Sequence, residues 1–346
     1  MSQKIIVRAP NHLGDCIMSM PMISETGEAF PGCSLTLLIR EGLSELFEGN
    51  QAIDKISTFP DRYAHGLAGV FKLTDIIKKG KYDTGFILPP SFSSASSFKL
   101  AGVSERIGYI ADGRRLLLTK ALPLPEPINS THRSETYLNL LRRSYNKEYS
   151  YSKPKLFLSD TDISKGVKLL EGFGVNSSAR YAVIAFRAVA ESRRWGVENY
   201  TRLAKWIVSE LNLTVLLTGQ KEDAPEGNSI AEAAGQVKVI NLAGKTGIRE
   251  LASVLSNAAV FIGNDSGAAH LAAAVGTAVV VLSGADDPRE TSPLAARKKM
   301  LYLNQLGCIS CLKNKCPQKG SKYMKCMKGI TFEMTSNAIG DLVNSN

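Results

Sequence analysis

The chain has 346 residues and a mass of 37.4 kDa, with 44% hydrophobic and 21% charged residues. That length is ample for two domains, and the composition excludes a disordered or fibrous chain. No apolar run reaches the ~18 residues a bilayer-spanning helix needs, and the opening MSQKIIVRAP lacks the apolar core and cleavage site of a secretion signal, so a soluble cytoplasmic protein is expected. Forty-two Lys and Arg against 32 Asp and Glu leave a net charge of +10. Such an excess favours a polyanionic partner: nucleic acid, an anionic membrane surface or a phosphorylated substrate.

Short apolar runs alternate with amphipathic, helix-length stretches. Ile5–Val7, Leu35–Ile39 and Thr84–Leu88 come first, each bounded by turn residues. This is the β-α-β pattern of a parallel sheet. The proline-rich LPLPEP (122–127) and the polar NKEYSYSKPK (146–155) interrupt it. The segment SDTDISKGVKLLEGFG then reads as a capped helix, and a second series follows: Tyr181–Ala185, Leu213–Leu217, Lys238–Ile240, Ala259–Ile262 and Ala278–Leu282. The expectation is an α/β protein of two Rossmann-like domains, residues 1–170 and 171–346, facing a central cleft. No repeat or low-complexity tract is visible. In open α/β sheets ligands gather beyond the carboxyl ends of the strands, which directs attention to four loops.

The first is Arg8-Ala9-Pro10-Asn11-His12-Leu13-Gly14-Asp15, between the first strand and an apolar helix. Asp15 is either a first-turn acid that favours the helix dipole or a general base. The second is Glu191-Ser192-Arg193-Arg194-Trp195, in which one cation suits a phosphate while the other and Trp195 close the loop. The third, Thr218-Gly219-Gln220-Lys221-Glu222-Asp223, offers an acid for ribose hydroxyls, with Glu222 the candidate. The fourth is Asn264-Asp265-Ser266-Gly267-Ala268-Ala269-His270, where a strand enters a helix whose N-terminus suits a diphosphate. His270 there is either a ligand or a buried structural histidine.

Other features carry plainer readings. Asp286 and Asp287 read as turn chemistry, and Asp160-Thr161-Asp162, whose D-x-D spacing can hold a divalent cation, more simply caps its helix. No complete G-x-G-x-x-G and no P-loop is present, so ordinary NAD binding and P-loop hydrolysis lack their signatures. Cys308, Cys311, Cys316 and Cys326 cluster with C-x2-C-x4-C-x9-C spacing. In a cytoplasmic protein they are reduced thiols or a metal site, not a disulfide frame. Aromatic residues make up only 7% and no basic-aromatic module appears, so nucleic acid is not expected as a partner.

RAPNHLGDCIMSMP (8–21) and NDSGAAH (264–270) together resemble the bacterial lipopolysaccharide heptosyltransferase family, that is, glycosyltransferase family nine. Further matching stretches are SFSSASSFKLAGVSERIGYIADGRRLLL (91–118), THRSETYLNLL (131–141), SRRW (192–195), TGQKED (218–223), NLAGKT (241–246) and CISCLKNKCP (308–317). The resemblance implies a GT-B fold and an inverting transfer from ADP-L-glycero-D-manno-heptose to the growing inner core on lipid A. It carries the role of general base to Asp15. Arg193, Asp265, Ser266, Gly267 and His270 are carried over as donor-binding residues, beside Glu222, the strand-end acid above. Three positions depart from the family pattern: His12 stands where Trp is common, Arg193 replaces Lys, and Gly196 replaces Pro. Arginine keeps the charge and adds a bidentate fork. Alternatives are a family member with another sugar or acceptor, or a non-catalytic nucleotide-sugar-binding protein.

No obligatory cofactor is expected beside the ADP-heptose donor, because Arg193 and a helix N-terminus at Gly267 can replace the electrostatic role of a metal ion. From Arg297 to Lys328 nine Lys or Arg and no acid are interleaved with the four cysteines, ahead of a terminal helix. Such a block is either a solvated face or a loop resting on an anionic membrane. With a phosphorylated, lipid-anchored core as acceptor, the second reading places the protein at the cytoplasmic face of the inner membrane.

Overall fold

In the computed structural model, which describes residues 2–125, 131–149, 151–176, 178–235 and 238–344, the apolar runs form two six-stranded sheets whose neighbouring strands are all parallel. The first comprises β1 (Lys4–Arg8), β2 (Ser34–Arg40), β3 (Lys55–Phe59), β4 (Thr84–Ile87), β5 (Glu105–Tyr109) and β6 (Lys120–Leu122), in the order β3-β2-β1-β4-β5-β6. Its helices are α1 (Leu13–Ala29), α2 (Gly66–Lys78), α3 (Phe92–Leu100) and α4 (Arg133–Tyr145); α1 packs on α4 and α2 on α3. Ile5 pairs with Leu35 on one side and Thr84 on the other, so β1 is central and buried. Parallel strands covered on both faces read as continuous apolar runs, which is why β1, β2 and β4 were visible in the sequence.

The second sheet repeats that order without repeating the sequence. It holds β7 (Tyr181–Ala185), β8 (Thr214–Thr218), β9 (Val239–Asn241), β10 (Val260–Asn264), β11 (Val279–Ser283) and β12 (Lys298–Tyr302), arranged β12-β11-β10-β7-β8-β9. Around it lie α5 (Asp160–Gly172), α6 (Val197–Glu210), α7 (Ala224–Ala233), α8 (Ile248–Ser256), α9 (Gly267–Ala274), α10 (Pro288–Thr291), α11 (Lys325–Lys328) and the expected terminal helix, α12 (Phe332–Asn344). Its core includes Ile184, Leu217, Ile262, Val280, Tyr200 and, from α12, Ile339. Each such large apolar side chain contributes about 1.5–3 kcal/mol by leaving water.

The chain divides between Phe157 and Leu158, ahead of the expected 170/171 boundary, which lies inside α5. That helix packs on α8 of the second unit. A Cβ on Gly166 would fall 2.1 Å from Ser253 Oγ, so the helices meet closely there because the residue is glycine. The D-x-D triplet serves this junction. Asp162 closes a capping box with Ser159 and takes Arg249 of α8 at 2.9 Å through Nε. Arg249 holds the Asp162 carboxyl well below the usual range. The last residues of LPLPEP and Ser150 of the polar linker lie outside the described residues.

Candidate functional site

In the first unit β1 ends at Arg8, and the chain turns through Ala9–His12 into α1. Two arginines shape that turn. Arg8, 1% exposed, donates to the Ala9 carbonyl and to Asn11 Oδ1 (2.5 Å), with its guanidinium 4.5 Å from the centroid of the Phe59 ring. Arg40, braced by Asp61, donates to the Asn11 carbonyl at 2.5 Å. Burial pulls the Arg8 guanidinium down to about 9, which leaves it charged at neutral pH.

Asp15 stands in the first turn of α1 with its side chain 25% exposed. Its Oδ1 accepts from the Tyr137 hydroxyl at 3.4 Å and lies 3.8 Å from Arg133 Nη1, both residues on α4. Burial, then the charge of Asp15, pushes the Tyr137 hydroxyl far above its ordinary value, so it remains a donor at neutral pH. The partners of Asp15 thus come from a second helix. His12 precedes α1 as an exposed N-cap residue without a side-chain capping bond. Sequence reasoning missed Arg133 and Tyr137 as partners because about 120 residues separate Asp15 from Tyr137. The signal was present in THRSETYLNLL, which carries both.

In the second unit the loops after β7, β8, β10 and β11 carry the expected residues. β10 delivers Asn264 and Asp265, and Ser266 is the N-cap of α9 with extended backbone (φ −157°, ψ 166°). The side-chain oxygen of Ser266 and both polar side-chain atoms of Asn264 are buried without a hydrogen-bond partner among the described residues. Asp265 is 6% exposed; its Oδ2 accepts from Thr291 Oγ1 at 3.2 Å, and its Oδ1 lies 3.9 Å from Nε2 of the buried His270. Burial, reinforced by the charge of Asp286, pushes the Asp265 carboxyl up to about 7, against the opposing pull of Arg193. His270 therefore belongs both to the core and to this cluster.

The loop after β7 treats its two arginines differently. Arg194 donates to the Ala188 carbonyl at 3.0 Å, and Trp195 is buried edge-on to Tyr200 with its indole N–H on the Ile330 carbonyl (2.7 Å). Both close the loop. Arg193 stays 34% exposed, with Nε 2.5 Å from Asp286 Oδ2. Asp287 is turn chemistry, capping α10 through Arg289 N (3.0 Å). Asp286 is not: it joins Arg193 and lies near enough to Asp265 to raise its pKa, which adjacency to a second acid had concealed in the sequence.

After β8, Asp223 builds the loop, accepting from Gln220 N (2.8 Å) and facing Arg187 Nε (3.4 Å). Glu222 is exposed in the single turn Lys221–Asp223, outside those internal bonds. The four clustered cysteines, all free, line one cavity with Ser192 and Ala285. Burial pushes the Cys326 thiol up, and the other three thiols add to it. Among the described residues no group of three or more His, Cys, Asp or Glu is arranged to hold a metal ion. The cysteine segment also braces the Arg193 loop: Ser192 N donates to the Asn314 carbonyl at 3.2 Å, and the Tyr323 hydroxyl to Glu191 at 2.5 Å. Among the described residues no helix is long and apolar enough to cross a membrane.

Comparison with known proteins places the chain as a whole. The family model described as glycosyltransferase family 9 (heptosyltransferase) matches residues 70–322. Lipooligosaccharide heptosyltransferase 2 of Haemophilus influenzae is 25% identical over 352 residues, covering 98% of this chain and 99% of its own. Lipopolysaccharide heptosyltransferase 2 of Escherichia coli K12 is 28% identical over 321 residues, 87% of this chain and 88% of its own. The solved E. coli ADP-heptose lps heptosyltransferase II shares the fold with a TM-score of 0.81 at 22% identity, over 99% of each chain. The two Rossmann-like units are thus those of a GT-B protein, and the chain belongs to glycosyltransferase family 9.

Proposed function

We propose that the protein is an inverting glycosyltransferase that moves heptose from ADP-L-glycero-D-manno-heptose to the inner core of lipopolysaccharide, as the names of its heptosyltransferase 2 relatives suggest. One observation carries the reading: a strand-to-helix turn at α9 bearing a buried Asp265, a buried Ser266 hydroxyl without a partner and, beside them, a half-exposed arginine. Unspent donors at a helix N-terminus suit a diphosphate. In this reading the second unit binds the ADP-sugar through Arg193, Asp265, Ser266, Gly267 and His270, with Glu222 toward the ribose. The first unit takes the acceptor, and Asp15 removes the proton from the attacking hydroxyl.

The hydroxyl oxygen forms a bond to the anomeric carbon as the bond to ADP breaks, in one displacement that inverts the centre. Tyr137 and Arg133 hold the Asp15 carboxylate in place for its proton. Negative charge accumulates on the departing diphosphate, where Arg193 and the amides of α9 stabilise it; with that charge supplied, no cation is obligatory. The basic segment 297–328 rests on the membrane that carries the acceptor. Incubation with ADP-heptose and a defined truncated core tests the proposal. A product heavier by one heptose with stoichiometric ADP is expected. ADP-heptose binding without turnover would mark a non-catalytic binder, and turnover with another sugar only would move the chain elsewhere in the family.

A further inference from the structure

The Arg193–Asp286 pair joins two loops that are pinned to the same third segment. On one side Ser310 N donates to the Gly284 carbonyl (3.0 Å), Leu312 N to the Ala285 carbonyl (2.8 Å) and Ser310 Oγ to the Asp286 carbonyl (3.3 Å). On the other, Ser192 N and the Tyr323 hydroxyl fix the loop of Arg193 as described above. The 7%-exposed Asp286 carboxylate is therefore held close to the loop backbone, and its Oδ2 lies 2.5 Å from Arg193 Nε as an ion-pair contact outside hydrogen-bond geometry. A guanidinium has three nitrogens. Engaging Nε leaves both terminal NH2 groups as a planar fork, the geometry that recognises phosphate through two parallel bonds. An ammonium has three donors on one nitrogen, so beside the same acid it can offer a phosphate point contacts but not two parallel bonds.

We infer that Asp286 is a positioning residue, which holds Arg193 by Nε so that its free fork meets the diphosphate of the donor; arginine at 193 and the acid at 286 work as a unit. The inference rests on the donor-site reading above. It is tested by calorimetric titration of the full-length protein with ADP. Arg193→Ala and Asp286→Asn each weaken ADP binding about tenfold, the size of one charge-assisted contact. Arg193→Lys binds ADP more weakly than the parent, because Asp286 draws its single nitrogen away from the diphosphate and no fork remains. Removing the acid releases it, so the double variant Arg193→Lys/Asp286→Asn binds ADP several-fold more tightly than Arg193→Lys alone. A general loss of structure would not produce that recovery. ADP affinity that is unchanged or higher in Asp286→Asn overturns the inference, as does a double variant no better than Arg193→Lys. If substitution at the buried acid prevents folding, Arg193→Lys alone decides: lysine as effective as arginine overturns it. Unchanged affinity in Arg193→Ala instead removes the donor-site reading itself.

Discussion

The two units use one strand order to hold two different carboxylates. In the sheet order shared by both, the pairs β1–β4 and β7–β10 mark the switch point where strand order reverses and ligands collect. The first unit places Asp15 after β1, partly exposed and held by a tyrosine and an arginine from α4. The second uses both lips of its switch point, Arg193 after β7 and Asp265 after β10, and buries the acid beside a second carboxylate. A partly exposed carboxylate can be reached by an incoming hydroxyl. A buried one near another acid holds its proton to higher pH, and a neutral carboxyl donates a hydrogen bond where a carboxylate would repel a diphosphate.

The strongest test of that contrast is Asp15→Asn. Its amide keeps the shape and loses the basicity, so turnover falls about 10²-fold or more, a common cost of losing general-base catalysis. ADP affinity and the thermal midpoint stay close to those of the parent. A fall in the midpoint with unchanged rate per folded molecule would return Asp15 to a first-turn helix acid and abolish the contrast.

Asp265 supplies a pH signature of its own. Its folded-state pKa is raised from 3.8 to about 7. Between roughly pH 4 and 7 the folded protein keeps a proton that the unfolded chain has lost, so stability falls as pH rises through this window and levels off above it. The slope is at most about 1.4 kcal/mol per pH unit. Urea unfolding at pH 5, 6, 7 and 8 should show this decline in the parent and not in Asp265→Asn. Equal slopes in the two proteins would mean that Asp265 is ionised throughout and that its burial does not hold a proton.

What was legible in the sequence follows from burial. β1, β2, β4, β7, β8, β10 and β11 read as apolar runs because sheet and helices cover both faces; the interior β5 (ERIGY), with its charged start, was not read, while the edge strand β9 was, from its short Val-Ile run. By contrast β3 (KISTF), β6 (KAL) and β12 (KKMLY) lie at sheet edges, half-exposed, and their mixed composition hid them. The boundary expected at 170 was misplaced for a related reason: the anchor of α5 is the pair Asp162–Arg249, which joins residues far apart in sequence. Loop residues at strand ends could be singled out from local pattern. Their partners could not: Asp286 reads as a turn, and nothing local singles out Tyr137, until the fold brings them to Arg193 and Asp15.

The units differ once more after their last strands, since only the second continues into a basic, cysteine-bearing segment. On the proposed reading that segment performs two separable jobs. Its backbone braces the donor loops, through the carbonyls of Lys313 and Asn314. Its side chains at Lys313, Lys315, Lys319 and Lys322 are exposed, as is Leu312 at 59%. Backbone bonds survive a change of side-chain charge, so reversing the four lysines to glutamate leaves the brace in place and alters only what meets the surroundings. Near an anionic leaflet each lysine contributes about 1 kcal/mol, an attraction that weakens as salt screens it. The quadruple variant should therefore sediment less with anionic liposomes than the parent, with the largest difference at low salt. Transfer to a soluble, delipidated acceptor should change little. Liposome binding indifferent both to the lysines and to salt would make the segment a brace alone. Binding lost together with soluble transfer would show that charge and brace are one function.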